Sequence, residues 1–127
     1  MKLSVACVIF ILLTGCAHKL TKNECVKKDP FKLGKKLAYR GFKSSVFESL
    51  QSSCKEHGVE IEMKRAAFKK GWHEGMKDFC TFQRGYHWGF TKKDNPQICT
   101  EELKPGFEKG YTHGKEYARS RGRGRRG

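Results

Sequence analysis

FKKGWHEG (residues 68–75) places two glycines four apart in a stretch that otherwise favours an amphipathic helix. A glycine inside a helix costs roughly 1 kcal/mol relative to alanine, so two within eight residues need a reason. The same frame recurs as FKLGKKLA (31–38), FQRGYHWG (82–89) and FEKGYTHG (107–114). Each unit has Phe at i, Gly at i+3 and a small residue at i+7, and three carry an aromatic residue at i+4. At about 100° per residue, positions i, i+3, i+7 and i+4 fall at roughly 0°, 300°, 340° and 40°. They form one stripe about 100° wide, which matches a core-facing strip. It is made of Phe31 and Gly34; Phe68, Gly71, Trp72 and Gly75; Phe82, Gly85, Tyr86 and Gly89; and Phe107, Gly110, Tyr111 and Gly114. Small-x3-small spacing lets helix backbones approach closely in membranes, but the lysines and glutamates of these units exclude a bilayer setting. The expectation is that aromatic rings of one helix fill the glycine notches of another. A buried aromatic side chain removes roughly 150–250 Å² from water, enough to offset the glycines. The rival reading makes the glycines breakers that turn the units into loops.

Outward from these units the helices can be bounded. Asp29-Pro30 provides an N-cap followed by proline at the first helical position, starting a helix to about Gly41. Ser44-Ser45 caps a second helix, VFESLQSSCKEH, which Gly58 closes. A third runs from about Glu60 to Phe79 and a fourth from Thr81 to Lys92. Lys93-Asp94-Asn95-Pro96 is turn chemistry. Pro105 delays the last helix to about Gly106, and it runs to about Arg119. No stretch alternates apolar and polar residues, so little or no strand is expected. The expected fold is all-α: a small disulfide-stapled bundle of about four to five short helices.

The chain opens MKLSVACVIFILLTGC (1–16), with Lys2 before an apolar run from Leu3 to Leu13. Such a run is too short for a spanning helix, which needs about 20 apolar residues. A charged start, a short apolar core and small residues fit a secretory signal over residues 1–15. The sequence Leu-Thr-Gly-Cys resembles the lipobox of bacterial lipoproteins. That resemblance implies a thioether-linked diacylglycerol on Cys16, cleavage before it, and acylation, as by palmitate, of the new amino terminus. The rival is an ordinary signal peptide with an accidental cysteine. One acyl chain binds a membrane only marginally, whereas two or three would anchor the protein. Ala17, in Gram-negative lipoproteins, implies outer-membrane transport. The expected location is therefore the cell envelope, lipid-anchored, and the outer membrane facing the periplasm if the host is Gram-negative.

Removing residues 1–15 leaves 112, enough for one small domain. Residues 16–28 read as the lipidated Cys and a polar tether, 29–118 as the helical domain, and 119–127 as a basic tail. Cys25, Cys54, Cys80 and Cys99 remain after Cys7 leaves with the signal and Cys16 takes lipid. In an exported chain they read as disulfides, with three possible connectivities. An antiparallel hairpin of the first two helices would bring Cys25 near Cys54 and leave Cys80 with Cys99. A zinc site is the rival, but there is no C-x2-C pair and the spacings are wide.

The formal charge is +14. Arg119, Arg121, Arg123, Arg125 and Arg126 alternate with glycine and serine in a tail with little to bury, so disorder is expected. Arg-Gly runs resemble RNA-binding tails, but an exported, membrane-held chain rarely meets RNA. Anionic lipid, lipopolysaccharide or another acidic envelope polymer is the expected partner; a merely solvated tail is the alternative.

Catalytic and metal readings have little support. His73 and His87 lie at about 140° and His113 at about 240° in the repeated frame, off the inward stripe. Glu74 and Asp78, with Lys70 and Lys77 nearby, read as a solvated face with local ion pairs. No Ser/His/Asp set, phosphate-binding loop or H-E-x-x-H is present. No cofactor, no metal and no enzyme activity are expected.

The ordered positions resemble one family. Cys25, Phe31-x2-Gly34, Gly41, Cys54-x3-Gly58-Val59, Phe68-x2-Gly71-x3-Gly75, Phe79-Cys80-Thr81, Gly85-x3-Gly89, Cys99 and Phe107-x2-Gly110 resemble the small bacterial lipoproteins of domain of unknown function 2799. The resemblance covers about residues 24–115. It departs at Leu37-Ala38, where the family tends to Asp-Gly, and at Phe31, where Trp is usual. It implies an envelope lipoprotein and transfers no activity. The expected function is a binding or structural module contacting acidic envelope components; the alternatives are an envelope enzyme without a recognisable site, or a surface nucleic-acid binder through the Arg-Gly tail.

Overall fold

A computed structural model describes residues 19–124. Cys16, Arg125 and Arg126, with the expected signal segment, lie outside the described residues. The elements are α1 (Lys22–Lys27), α2 (Pro30–Tyr39), α3 (Val46–Glu56), a 3-10 turn (Glu62–Lys64), α4 (Arg65–Phe79), α5 (Phe82–Phe90) and α6 (Lys104–Arg123). There is no strand among the described residues. The all-α, disulfide-stapled fold is as expected, with six helices rather than four or five.

Local chemistry sets most boundaries. The Asp29 carboxylate accepts from the Lys32 N–H at 3.1 Å, with Pro30 at the first position of α2. Three helices end in one pattern. After α2, Gly41 N–H donates to Ala38 O and Phe42 N–H to Leu37 O. After α3, Gly58 donates to Lys55 O and Val59 to Cys54 O. After α5, Lys92 donates to Gly89 O and Lys93 to Trp88 O. This is the Schellman arrangement, whose middle residue turns left-handed. Gly41 (φ +83°) and Gly58 (φ +73°) suit it, whereas Lys92 adopts φ +58° with a side chain.

The repeated units pair two by two, α2 with α4 and α5 with α6. A methyl group on Gly34 would overlap the carbonyl oxygen of Phe68, and one on Gly71 that of Phe31; Gly75 meets the carbonyl of Lys35. The second pair repeats this: Gly85 against Phe107, Gly110 against Phe82, and Gly114 against Tyr86. The expected filling of glycine notches by aromatic rings is therefore corrected. Partner backbone occupies the notches, and it lies too close for any ring to enter. Contacts advance in the same direction on both helices (31 with 71 and 35 with 75; 82 with 110 and 86 with 114), so each pair is parallel. The expected antiparallel hairpin of the first two helices is also overturned, since α2 takes α4 as its close partner.

The two pairs are copies of one plan. Trp72 on α4 donates its indole N–H to Phe42 O, two residues past the cap of α2, at 2.8 Å. Tyr111 on α6 donates its hydroxyl to Lys93 O, two residues past the cap of α5, also at 2.8 Å. In each copy a disulfide joins a cysteine before the first helix to one in the connection: Cys25–Cys54 and Cys80–Cys99. The long return that parallel pairing requires holds α3 in the first copy, where Phe47 packs on Phe68 at 5.0 Å. The copies join through Phe79, which stacks on Phe107 and meets Trp88 edge-on, both at 5.0 Å.

Both ends differ from expectation. Leu20 is buried, and its N–H and carbonyl both bond the Ser53 hydroxyl. Residues 20–28 thus belong to the fold rather than to a tether. At the other end, α6 begins at Lys104 with Pro105 inside its first turn, where a missing N–H costs nothing. It continues through Arg123, so residues 119–123 of the expected disordered tail are helical. Arginine is a good helix former, and cations in a last turn complement the helix dipole.

Candidate functional site

Parallel pairing sets the C-terminal ends of α5 and α6 side by side. Beyond Gly114, α6 overhangs the end of α5. Tyr117 on this overhang packs on Phe90 at 5.9 Å and on Tyr86 at 6.3 Å, and Tyr86 and Phe90 stack on each other. Tyr117 remains 47% exposed and Phe82, farther along α5, 40%, so an aromatic stripe lies open along the pair.

Cations gather at the same end. Lys92 and Lys93 follow α5; Lys115, Arg119, Arg121 and Arg123 come from α6. A shallow groove of about 380 Å³ is lined by Lys92, Lys93, Asp94, Tyr111, Lys115 and Arg119, together with Gly89 and Ala118. A neighbouring hollow of about 290 Å³ is lined by Phe90, Lys92, Ala118, Arg121 and Gly122. Lys92 borders both. Lys93 Nζ lies 4.2 Å from the Trp88 ring centroid and Lys115 Nζ 5.2 Å from that of Tyr111. The Arg121 guanidinium is 5.8 Å from Tyr117. Among the described residues none of these six cations is ion-paired with a carboxylate, and Asp94 is the one acidic residue lining either hollow. Such a surface attracts anions and can lay apolar rings against whatever carries them.

Of the arginines proposed from sequence, the structure brings Arg119, Arg121 and Arg123 to this end, on the exposed turns of α6. Sequence reasoning missed Lys92, Lys93 and Lys115. Their signal was present, since Lys92-Lys93 closes a helix of the repeated frame, but the direction of pairing was not. The stripe residues Phe31 through Gly114 run along the two pair interfaces, though Phe82 and Tyr86 turn their rings to the open aromatic stripe; of them only Gly89 and Tyr111 line the grooves.

His73, His87 and His113 are exposed on three different helices; Trp72 abuts His73, and Phe82 abuts His113 across the α5–α6 pair. Among the described residues no three His, Cys, Asp or Glu side chains group as metal ligands. Glu74 pairs with Lys77, and Asp78 with Lys35. The perturbed carboxylates lie elsewhere. The Lys28 ammonium, with the Thr21 N–H and hydroxyl, holds Glu24 down to about 2. Arg65 bonds both Glu48 and Glu62 and holds each below the usual carboxylate range, while they raise Arg65 in turn. A polar hollow of about 260 Å³ beside the second disulfide is lined by Asn95, Gln97, Glu101, Lys104 and Glu108.

Residues 29–116 match the family described as protein of unknown function (DUF2799), and the chain belongs to that family. The match spans both helix pairs and stops before the Tyr117–Arg123 overhang. No curated protein and no solved structure matches the chain.

Proposed function

We propose that this DUF2799 protein is a non-catalytic, lipid-anchored envelope protein whose cationic α5–α6 end binds acidic lipid, lipopolysaccharide or another acidic envelope polymer. The observation that carries the reading is the cluster of six cations without a carboxylate partner among the described residues, five of them lining two shallow hollows. Its most telling member is Lys92. An L-residue in the left-handed region costs about 1–2 kcal/mol, and the two corresponding caps use glycine. Lys92 thus holds its side chain at the hollows against a cost in local stability that glycine would not carry.

The anchoring part rests on the Leu-Thr-Gly-Cys16 signal, and an outer-membrane, periplasm-facing location on Ala17. The test is co-sedimentation of the purified domain with phosphatidylglycerol vesicles and with neutral phosphatidylcholine vesicles. Binding to the anionic vesicles that falls steeply with added salt supports the proposal. Absent or salt-insensitive binding sinks it. Deleting residues 119–127 separates a second possibility: if DNA binding is present and disappears while vesicle binding stays, the arginines serve nucleic acid.

A further inference from the structure

We propose that the corner formed by α1 and the 3-10 turn is the membrane-facing surface of the domain, with Val26 and Met63 seated among lipid headgroups. The inference rests on the reading of Cys16 as lipidated and concerns the end of the molecule opposite in sequence to the cationic grooves.

The first argument is reach. Four residue steps separate Cys16 from Leu20, and an extended chain spans at most about 3.3–3.6 Å per residue. Leu20 Cα therefore lies within about 14 Å of Cys16 Cα. Leu20 is also fixed to the body. It is 4% exposed, both its backbone polar groups bond Ser53, and five residues later Cys25 is disulfide-bonded to Cys54 on α3. Between these ties, Thr21 and Glu24 form a reciprocal capping box that starts α1. A tether reaching to residue 28 would let the domain stand off the membrane and rotate freely. A chain pinned at Leu20 presses one corner against it.

That corner has the chemistry of an interface. Val26 is 58% exposed, and Met63 is 98% exposed. The 3-10 turn is tied to the end of α1, because Lys64, next to Met63, donates its Nζ to the carbonyls of Cys25 and Val26 at 2.7 and 3.2 Å. Lys19 before α1 and Lys22 and Lys27 on it are all exposed. On the α1 side Glu24 is the one acidic residue between Lys19 and Lys28, and it is paired with Lys28; on the turn side exposed Glu62, beside Met63, is paired with Arg65, and Glu60 is exposed. Exposed apolar tips beside lysines fit the zone where acyl chains give way to headgroups.

The test uses the full lipidated protein in neutral phosphatidylcholine vesicles, which do not draw the cationic α5–α6 end, with acyl chains brominated near the headgroup. Met63→Trp and Tyr117→Trp report the two ends, over the background of Trp72 and Trp88, which are 8% and 9% exposed. Quenching at position 63 several-fold stronger than at 117 is expected. In parallel, amine-reactive labelling of Lys19, Lys22 and Lys27 should be several-fold slower on vesicles than in the Cys16→Ser protein in solution. Equal quenching at both ends, stronger quenching at 117, or unchanged labelling overturns the inference. Mass spectrometry of the N-terminal peptide keeps this failure apart from that of its premise: a peptide without diacylglycerol on Cys16 overturns both.

Discussion

At the scale of single residues, the glycines divide into two kinds that sequence alone does not distinguish. Gly71 and Gly110 face a partner carbonyl, whereas a methyl group on Gly106 or Gly122 meets open space. Gly71→Ala or Gly110→Ala should therefore cost about 1–3 kcal/mol through forced separation of the helices. Gly106→Ala should instead stabilise α6 by up to about 1 kcal/mol. Thermal unfolding of the variants side by side checks this, and similar losses at all three sites would contradict it. A second residue-scale prediction concerns acid. Glu24 has a folded-state pKa depressed to about 2 from an ordinary 4.5. Its contribution is fully present above the ordinary value and is lost as pH falls through the folded one. Glu24→Gln should flatten stability against pH within that window and remove the same contribution at neutral pH, a small one because the pair is exposed to solvent. Denaturant titrations across the window would show it.

At the scale of elements, much of the fold was legible. The recurring Phe-x2-Gly phase located four helices because a buried stripe must repeat with the helical period. Asp29-Pro30 and Gly58 marked boundaries by their own chemistry. Phase gives the buried face of a helix but neither its partner nor its direction, so the parallel α2–α4 and α5–α6 pairs stayed hidden. So did the cationic site they create. Helix α1 was missed although Thr21-Lys22-Asn23-Glu24 spells a capping box, because no apolar period follows it. The helix caps carry their own prediction. Lys92→Gly should stabilise the end of α5 by about 1 kcal/mol while weakening binding to anionic vesicles, measured by melting and co-sedimentation on one protein sample. Stability and binding falling together would instead make Lys92 a packing residue.

At the scale of the whole molecule, the chain is one plan executed twice, with the first copy enlarged by α3. Each copy depends on its own cross-link. The disulfides span 29 and 19 residues, and closing loops of that size is worth about 3–4 kcal/mol apiece. Replacing either cysteine pair by serine should lower the melting temperature markedly, with Cys25→Ser/Cys54→Ser also freeing α1 and Leu20 from the body. Proteolysis confined to residues 19–28 in that variant is the expected signature; uniform cleavage would mean that the copies do not hold independently. The order of the cross-links has one further consequence. First cysteine joins second and third joins fourth, as two closed clauses in one sentence. A chain threaded through a membrane from its amino end, the export route proposed here, can finish the first clause before the second has emerged. Correct oxidation then follows from timing, and no shuffling of mispaired sulfurs is required.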